Sequence, residues 1–304
     1  MFDFTGKVTL ITGASYGLGE EFAYSFADAG AHLILTARSE DLLMSVAEIC
    51  RGKGSKVTAV VGDVSDEADV LKVINAGMSD HGRIDVLVNN AGIADPRGVV
   101  AEQFDTETFN RIISVDLTGA FLYARECGRH MLQRRTGAIV NICSILASGA
   151  NENSVAGYAA AKGGLRNLTL QLGVEWADRG VRVNSVSPGF VVTEMTGPML
   201  EAMGMDRWIA SRTPMRRVGK AQEVTNAVMF LASDMASYIT GVDLLVDGGT
   251  NASNGTYQMP PIHHEWNNET PQVRSSYEPV QPRPDWYQAL ERGIPGLHFP
   301  MSEE

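Results

Sequence analysis

Short runs of apolar and β-branched residues recur along the first 250 positions, separated by longer stretches whose apolar residues fall three and four apart. The runs are Lys7–Thr12, Ala31–Thr36, Lys56–Val61, Ile84–Asn89, Gly137–Cys143, Val181–Ser187 and Gly241–Val246, and they predict seven strands. Val8-Thr9-Leu10-Ile11 and Ile84-Asp85-Val86-Leu87-Val88 are nearly continuous in apolar character, as strands buried on both faces should be. Strand and helix alternate. That order implies an α/β domain: a doubly wound parallel sheet in a three-layer αβα sandwich, with right-handed crossovers.

The pattern changes near residue 250. Residues 251–304 hold 8 of the 12 prolines, too dense a set for a long helix or a central strand. They also hold Tyr257, Trp266, Tyr277, Trp286, Tyr287 and Phe299, which a purely solvated tail would lack. The expected organisation is a domain over 1–250 followed by an extended arm over 251–304, packed on its own or a neighbouring subunit.

Composition narrows the function. Lys+Arg is 25 against 36 for Asp+Glu, a net charge of −11, which argues against a nucleic-acid partner. No apolar run approaches the ~18 residues of a membrane helix, and the N-terminus shows no secretory pattern, so no membrane partner is expected. Cys50, Cys127 and Cys143 are odd in number and far apart, and read as reduced thiols in a cytoplasmic protein. No metal site is expected; His263 and His264 read as a surface pair.

The first strand ends in Thr12-Gly13-Ala14-Ser15-Tyr16-Gly17-Leu18-Gly19, and Glu20–Ala29 follows as helix. Glycines there allow a tight turn and a close approach of backbone to a pyrophosphate, and the helix N-terminus offers unpaired N–H groups. The spacing T-G-x-x-x-G-x-G resembles that of the short-chain dehydrogenase/reductase family, which has a Rossmann-type fold. Further marks appear in the family's order: Asn89-Asn90-Ala91-Gly92, Ser144, Tyr158-x-x-x-Lys162, Pro188-Gly189 and Val246-Asp247-Gly248-Gly249. The resemblance covers about residues 4–250. In look it is nearest the sorbose reductase and polyol dehydrogenase branch, or the 3-oxoacyl reductases.

That resemblance implies a dinucleotide bound by Gly13, Ser15, Tyr16, Gly17, Leu18 and Gly19. It places Asp63 and Val64 at the adenine, Asn90, Ala91 and Gly92 along the adenosine wall, and Pro188, Gly189, Val191 and Thr193 near the nicotinamide. After the second strand an acidic residue would bind the ribose 2′-OH and repel a 2′-phosphate. Ala37 stands there instead, followed by Arg38 and Ser39. A guanidinium and a hydroxyl suit a phosphate, so NADP(H) is the preferred cofactor and NAD(H) the alternative.

Tyr158 and Lys162 are four residues apart on one helix and share a face. A phenol titrates near 10 and must fall by about 3 pH units, roughly 4 kcal/mol, to exchange protons at neutral pH. One ammonium ~4 Å away in an effective dielectric of ~20 supplies about that much. The family implies that Tyr158 moves the proton, Lys162 also holds the nicotinamide ribose, and Ser144 hydrogen-bonds the substrate oxygen. Relatives carry an asparagine where this chain has Asp116, in Val115-Asp116-Leu117-Thr118-Gly119. Asp116 is read as a relay member near Lys162 or as a structural carboxylate. If charged and ~8 Å from the phenol oxygen, it would oppose deprotonation by roughly 2 kcal/mol.

Glu194 to Arg217 resembles the family's substrate lid and holds five methionines, a residue type that adapts to irregular apolar shapes. The chain is therefore expected to be an NADP(H)-dependent oxidoreductase interconverting a small-molecule ketone or ketose and a secondary alcohol, assembled as a homotetramer or dimer. Two rival readings are a non-catalytic nucleotide-binding scaffold or redox sensor, and a cofactor-retaining isomerase or dehydratase on the same fold.

Overall fold

A computed structural model of the chain describes residues 2–94, 100–150, 155–192 and 205–253. The arm expected beyond residue 253, Thr193 and the first part of the expected lid lie outside the described residues.

All seven expected strands form, with ends displaced by a residue or two: β1 Val8–Thr12, β2 His32–Ala37, β3 Val57–Val61, β4 Val86–Asn89, β5 Gly137–Ile142 and β6 Val181–Pro188. Two short strands that the apolar pattern missed follow, β7 Val191–Val192 and β8 Gly219–Lys220, before the seventh expected one, β9 Asp243–Val246. The main sheet runs β3-β2-β1-β4-β5-β6-β9, and β7 pairs only with β8. Every pairing is parallel. Two-residue strands are too short for a periodicity to register, which is why β7 and β8 were not legible.

Described helices are α1 Gly17–Asp28, α2 Glu40–Gly52, α3 Glu67–His81, α4 Thr106–Ile113, α5 Ala120–Arg134, α6 Ala156–Glu175, α7 Met205–Arg212 and α8 Ala221–Ala232. They cover both faces of the sheet, and β1 shows why. Ile11 joins a core with Phe22 and Phe26 of α1, Leu43 of α2 and Val228 of α8. Val8 and Leu10 point the other way, into a core with Val70 and Val73 of α3 and Tyr123 of α5. A strand with apolar neighbours on both sides must itself be apolar at successive positions.

The helix starts differ in how they are capped. Asp66 caps α3, accepting from the N–H groups of Ala68 and Asp69, and Asp105 caps α4 through Thr108 N–H. Helix α1 has no side-chain cap at Tyr16, so its first N–H groups are left for another acceptor. Between α4 and α5 the chain makes a π-helical turn over Ser114–Gly119. Such bulges insert an extra residue and re-aim the side chains they carry; here the turn carries Asp116, which is fully buried.

Candidate active site

The sheet order reverses between β1 and β4, so the crevice beyond their carboxyl ends is where a ligand of an open α/β sheet binds. The glycine turn and the Asn90 loop meet there. Gly13 and Gly17 have φ of 64° and 63°, in the left-handed region that favours glycine. At Gly19 a Cβ would lie 2.1 Å from the Gly13 carbonyl oxygen, so only a residue without one lets α1 start this close to the turn. Asn90 ties the two loops together, its Nδ2 donating to the carbonyls of Thr12 (3.0 Å) and Gly13 (3.1 Å). Thr12 returns the contact, its Oγ1 accepting from the N–H groups of Asn90 and Ala91 at 3.0 and 3.1 Å.

These residues fit a dinucleotide. The turn brings backbone, not side chains, to the crevice, and the uncapped start of α1 faces it with free N–H groups. Ser15 is buried within the turn and Tyr16 is exposed. At the end of β2, Ala37 is buried while Arg38 and Ser39 are exposed. Ser39 begins α2 without using its hydroxyl as a cap. No carboxylate among the described residues pairs with Arg38.

Asp63 and Val64 follow β3. Val64 is buried, its carbonyl lying where a Cβ on Gly119 would come within 2.8 Å. Asp63 is held on both oxygens. Oδ1 accepts from Ser65 N–H (2.9 Å) and hydroxyl (2.7 Å), and Oδ2 accepts from Arg111 Nη2 at 2.6 Å. Burial alone would raise its pKa, but the Ser65 and Arg111 contacts outweigh it and hold Asp63 at about 2. Arg111 was not singled out in the sequence, because 48 positions separate it from Asp63.

Below the crevice a buried polar chain fixes the strands that carry the catalytic candidates. Asn89 of β4 donates to Asn141 of β5 at 2.9 Å, and Asn141 donates to Thr169 of α6 at 2.8 Å. These bonds tie β4, β5 and α6 together through side chains as well as through the ladder. Asn141 and Arg111 are supporting residues that sequence reasoning missed.

Tyr158 and Lys162 lie on the first turns of α6. Lys162 is 3 % exposed, and its ammonium sits 5.5 Å from the centroid of the Tyr158 ring. Nζ donates to the Ile142 carbonyl at 3.1 Å and lies 3.1 Å from Asp116 Oδ2. Burial works against the charged lysine, yet Tyr158 and Asp116 outweigh it and raise its pKa. Ser144 follows β5 and is buried; its Oγ accepts from Leu146 N–H at 3.2 Å and caps the 3-10 turn Ile145–Ala147, which packs against α6. Gly92 closes the group: a Cβ there would come 2.8 Å from Asp116 Oδ2 and 3.1 Å from Lys162 Nζ.

The other side of the crevice is built by Pro188, Gly189 and Val191. Gly189 donates its N–H to the Val246 carbonyl at 3.0 Å, and a Cβ on it would meet Asp247 Cα at 2.9 Å. Ser185, Ser187 and Arg166 all reach Asp243, which docks β9 on β6. A cavity of about 300 Å³ opens beyond Val191, between β7, β8 and β9. It contains neither Ser144, Tyr158 nor Lys162. The three cysteines are all buried, and burial pushes the Cys50 thiol to about 11 and the Cys143 thiol to about 12, so neither is a thiolate nucleophile.

Comparison with known proteins agrees with this geometry. The family profile described as enoyl-(acyl carrier protein) reductase matches residues 13–251. Gluconate 5-dehydrogenase of Gluconobacter oxydans is 35 % identical over 253 residues, covering 83 % of this chain and 98 % of the relative. A 3-oxoacyl-[acyl-carrier-protein] reductase of Escherichia coli is 38 % identical over 247 residues, covering 81 % and 98 %. Among solved structures, a gluconate 5-dehydrogenase from Burkholderia cenocepacia, crystallised with NADP and tartrate, superposes with a TM-score of 0.76 at 35 % identity, covering 83 % of this chain and 97 % of that one. Levodione reductase superposes with a TM-score of 0.77 at 34 % identity, covering 82 % and 99 %. With the glycine turn at the switch point, Lys162 beside Tyr158 and these relatives matched almost end to end, the chain belongs to the short-chain dehydrogenase/reductase family and is an NAD(P)-dependent oxidoreductase acting on CH–OH and C=O groups.

Proposed function

We propose that this chain uses NADP(H) to interconvert a ketone and a secondary alcohol on a small polyhydroxylated substrate, with Tyr158 as the group that moves the proton. The observation that carries the reading is the buried Lys162 ammonium 5.5 Å from the Tyr158 ring, beside the crevice where β1 and β4 diverge. The polyhydroxylated class is supported by two gluconate 5-dehydrogenases among the relatives.

When bound, the nicotinamide supplies or accepts the hydride. The chain's own residues do the rest. In the reducing direction the Tyr158 hydroxyl gives its proton to the carbonyl oxygen as the carbon gains hydride, and solvent then returns a proton to the phenolate. In oxidation the same bonds are exchanged in reverse. The Ser144 hydroxyl donates a hydrogen bond to the substrate oxygen and orients it toward Tyr158. Lys162 keeps a positive charge next to the phenol and holds the ribose hydroxyls. The α1 N-terminus and the turn Gly13–Gly19 hold the pyrophosphate. Asp63 and Val64 flank the adenine, and Asn90, Ala91 and Gly92 wall the adenosine side. Arg38 and Ser39 take the 2′-phosphate.

The test is Tyr158→Phe, assayed with NADPH against ketoses, ketoacids of sugars, β-ketoesters and aryl ketones, following loss of the reduced cofactor. NADPH binding should persist in a fluorescence titration while kcat falls by about 10²–10⁴-fold, the usual worth of a positioned proton donor. Turnover undiminished in the variant would remove Tyr158 from the reaction and sink the proposal.

A further inference from the structure

The chain that follows β9, Asp247–Asn251, makes a turn on which several segments of the site converge. Asp247 holds the turn from within: Oδ1 accepts from Gly249 N–H at 2.8 Å and Oδ2 from Asn251 N–H at 2.7 Å. Gly248 and Gly249 have φ of 61° and 87°, a conformation that glycine adopts without strain. The Pro188–Gly189 loop joins at the start of the turn, where Gly189 N–H donates to the Val246 carbonyl at 3.0 Å. The segment after α7 joins where Met215 N–H donates to the Gly248 carbonyl at 3.2 Å. Both of these joints are backbone to backbone. The joint to the Ser144–Gly149 loop is made by side chains: Asn251 Nδ2 donates to Ser148 Oγ at 2.7 Å, across 103 positions of sequence.

We infer that Asn251 is a positioning residue for Ser144: its side-chain amide ties the outer end of the Ser144–Gly149 loop to the turn that also holds the Pro188–Gly189 loop, and so fixes the spacing between the serine hydroxyl and the opposite side of the crevice. This deepens the function proposed above and rests on it, because Ser144 is there the group that orients the substrate oxygen.

The loop needs such a hold. Ser144 is buried, but none of residues 145–150 is, and Ser148, Gly149 and Ala150 are exposed. Within the loop, Ala147 N–H donates to the Ser144 carbonyl at 2.8 Å and Gly149 N–H to the Ile145 carbonyl at 3.0 Å. Hydrogen-bond geometry in a 3-10 turn is poor, so one turn alone is a weak brace. On its inner side Ala147 packs against Cys143 and Leu165. On its outer side, among the described residues, Asn251 makes the one side-chain hydrogen bond that reaches 145–150 from outside the loop. The amide lies close over the loop backbone: a Cβ on Gly149 would come 3.1 Å from Asn251 Oδ1. Ser144 Oγ accepts from Leu146 N–H of the same turn, so a turn that shifts carries the hydroxyl with it. The other two joints use backbone atoms of Val246 and Gly248, so a change of side chain at 251 releases the serine loop and leaves them intact.

The test is a cycle of substitutions in the full chain, assayed with NADPH and the ketone of highest kcat/KM from the panel above. Asn251→Ala and Ser148→Ala remove the bond from its two ends, and each should lower kcat/KM by about 3- to 10-fold, the worth of one neutral hydrogen bond. The double variant should lose no more than either single one, because there is one bond to lose. In a Ser144→Ala background Asn251→Ala should cost less than about 2-fold, since the tie acts through that hydroxyl; a residue that only supported the fold would cost the same in both backgrounds. NADPH affinity by fluorescence titration should stay within about 2-fold of wild type in every variant that keeps Ser144. A wild-type kcat/KM in Asn251→Ala, losses that multiply in the double variant, or an undiminished loss in the Ser144→Ala background overturns the inference. So does a fall in NADPH affinity as large as the fall in kcat/KM, which would place the effect on the nucleotide. If Ser144→Ala turns over too slowly to measure, the Asn251–Ser148 cycle decides. The two readings fail separately: an active Tyr158→Phe enzyme sinks the proposed function, whereas an inactive one with an unchanged Asn251→Ala sinks only the role of Asn251.

Discussion

Replacing Gly19 by alanine tests how the nucleotide turn is built. The added Cβ would sit 2.1 Å from the Gly13 carbonyl oxygen, 2.6 Å from Asn90 Nδ2 and 2.9 Å from the Gly13 carbonyl carbon. Two of these are backbone atoms, which cannot rotate aside. Carbon–oxygen contact normally needs well over 3 Å, so α1 must retreat from the turn by about 1 Å. Overpacking of this kind costs typically 1–3 kcal/mol of stability. The functional loss should be larger. A site tolerates about 0.5 Å of error in its supporting shell, and a 1 Å misplacement costs on the order of 100-fold. The expected result is a variant that still folds, melts a few degrees lower, and binds NADPH about 100-fold more weakly by fluorescence titration. Gly52→Ala is the matched control, because it lies in α2 with nothing within 4 Å of its would-be Cβ. It should be neutral or stabilising by up to about 1 kcal/mol, with unchanged NADPH affinity. Native NADPH binding by Gly19→Ala would refute the claim that the close approach of α1 to the turn creates the pyrophosphate site.

Two further outcomes follow from single contacts. Arg38→Ala should lower kcat/KM for NADPH by about 10- to 100-fold, the worth of a charge-assisted hydrogen bond, and leave NADH nearly unaffected; parallel steady-state assays with the two cofactors check it, and equal losses for both would remove Arg38 from phosphate recognition. Arg111→Ala should destabilise the protein at neutral pH through Asp63. The folded pKa of Asp63, about 2, lies below its ordinary value of 3.8, so its contribution is fully present above that value and is lost as pH falls toward 2. The gap in melting temperature between wild type and Arg111→Ala should therefore shrink between pH 4 and pH 2, and a gap constant over that range would show that the pair carries no linked stability.

The seven long strands and their parallel order were legible because strands covered on both faces must be apolar at nearly every position, and the chain cannot hide that signal. The glycine turn was legible for a related reason: positions such as Gly13 and Gly19 tolerate no Cβ, so the constraint is written directly as residue identity. Tyr158 and Lys162 were legible because one helical turn brings them together. What the sequence could not display is any contact whose partners are joined by the fold alone. Arg111 meets Asp63 across 48 positions, and Asn89 meets Asn141 across 52; nothing in either local pattern marks the other. Asp116 is the clearest case. Its contact with Lys162, 3.1 Å from Oδ2 to Nζ, depends on the π-helical turn over Ser114–Gly119, a ladder shift that no residue pattern along 114–119 announces. Local chemistry fixed which groups are present; chain closure over dozens of residues decided which of them touch, because burial and charge act through space and not along the backbone.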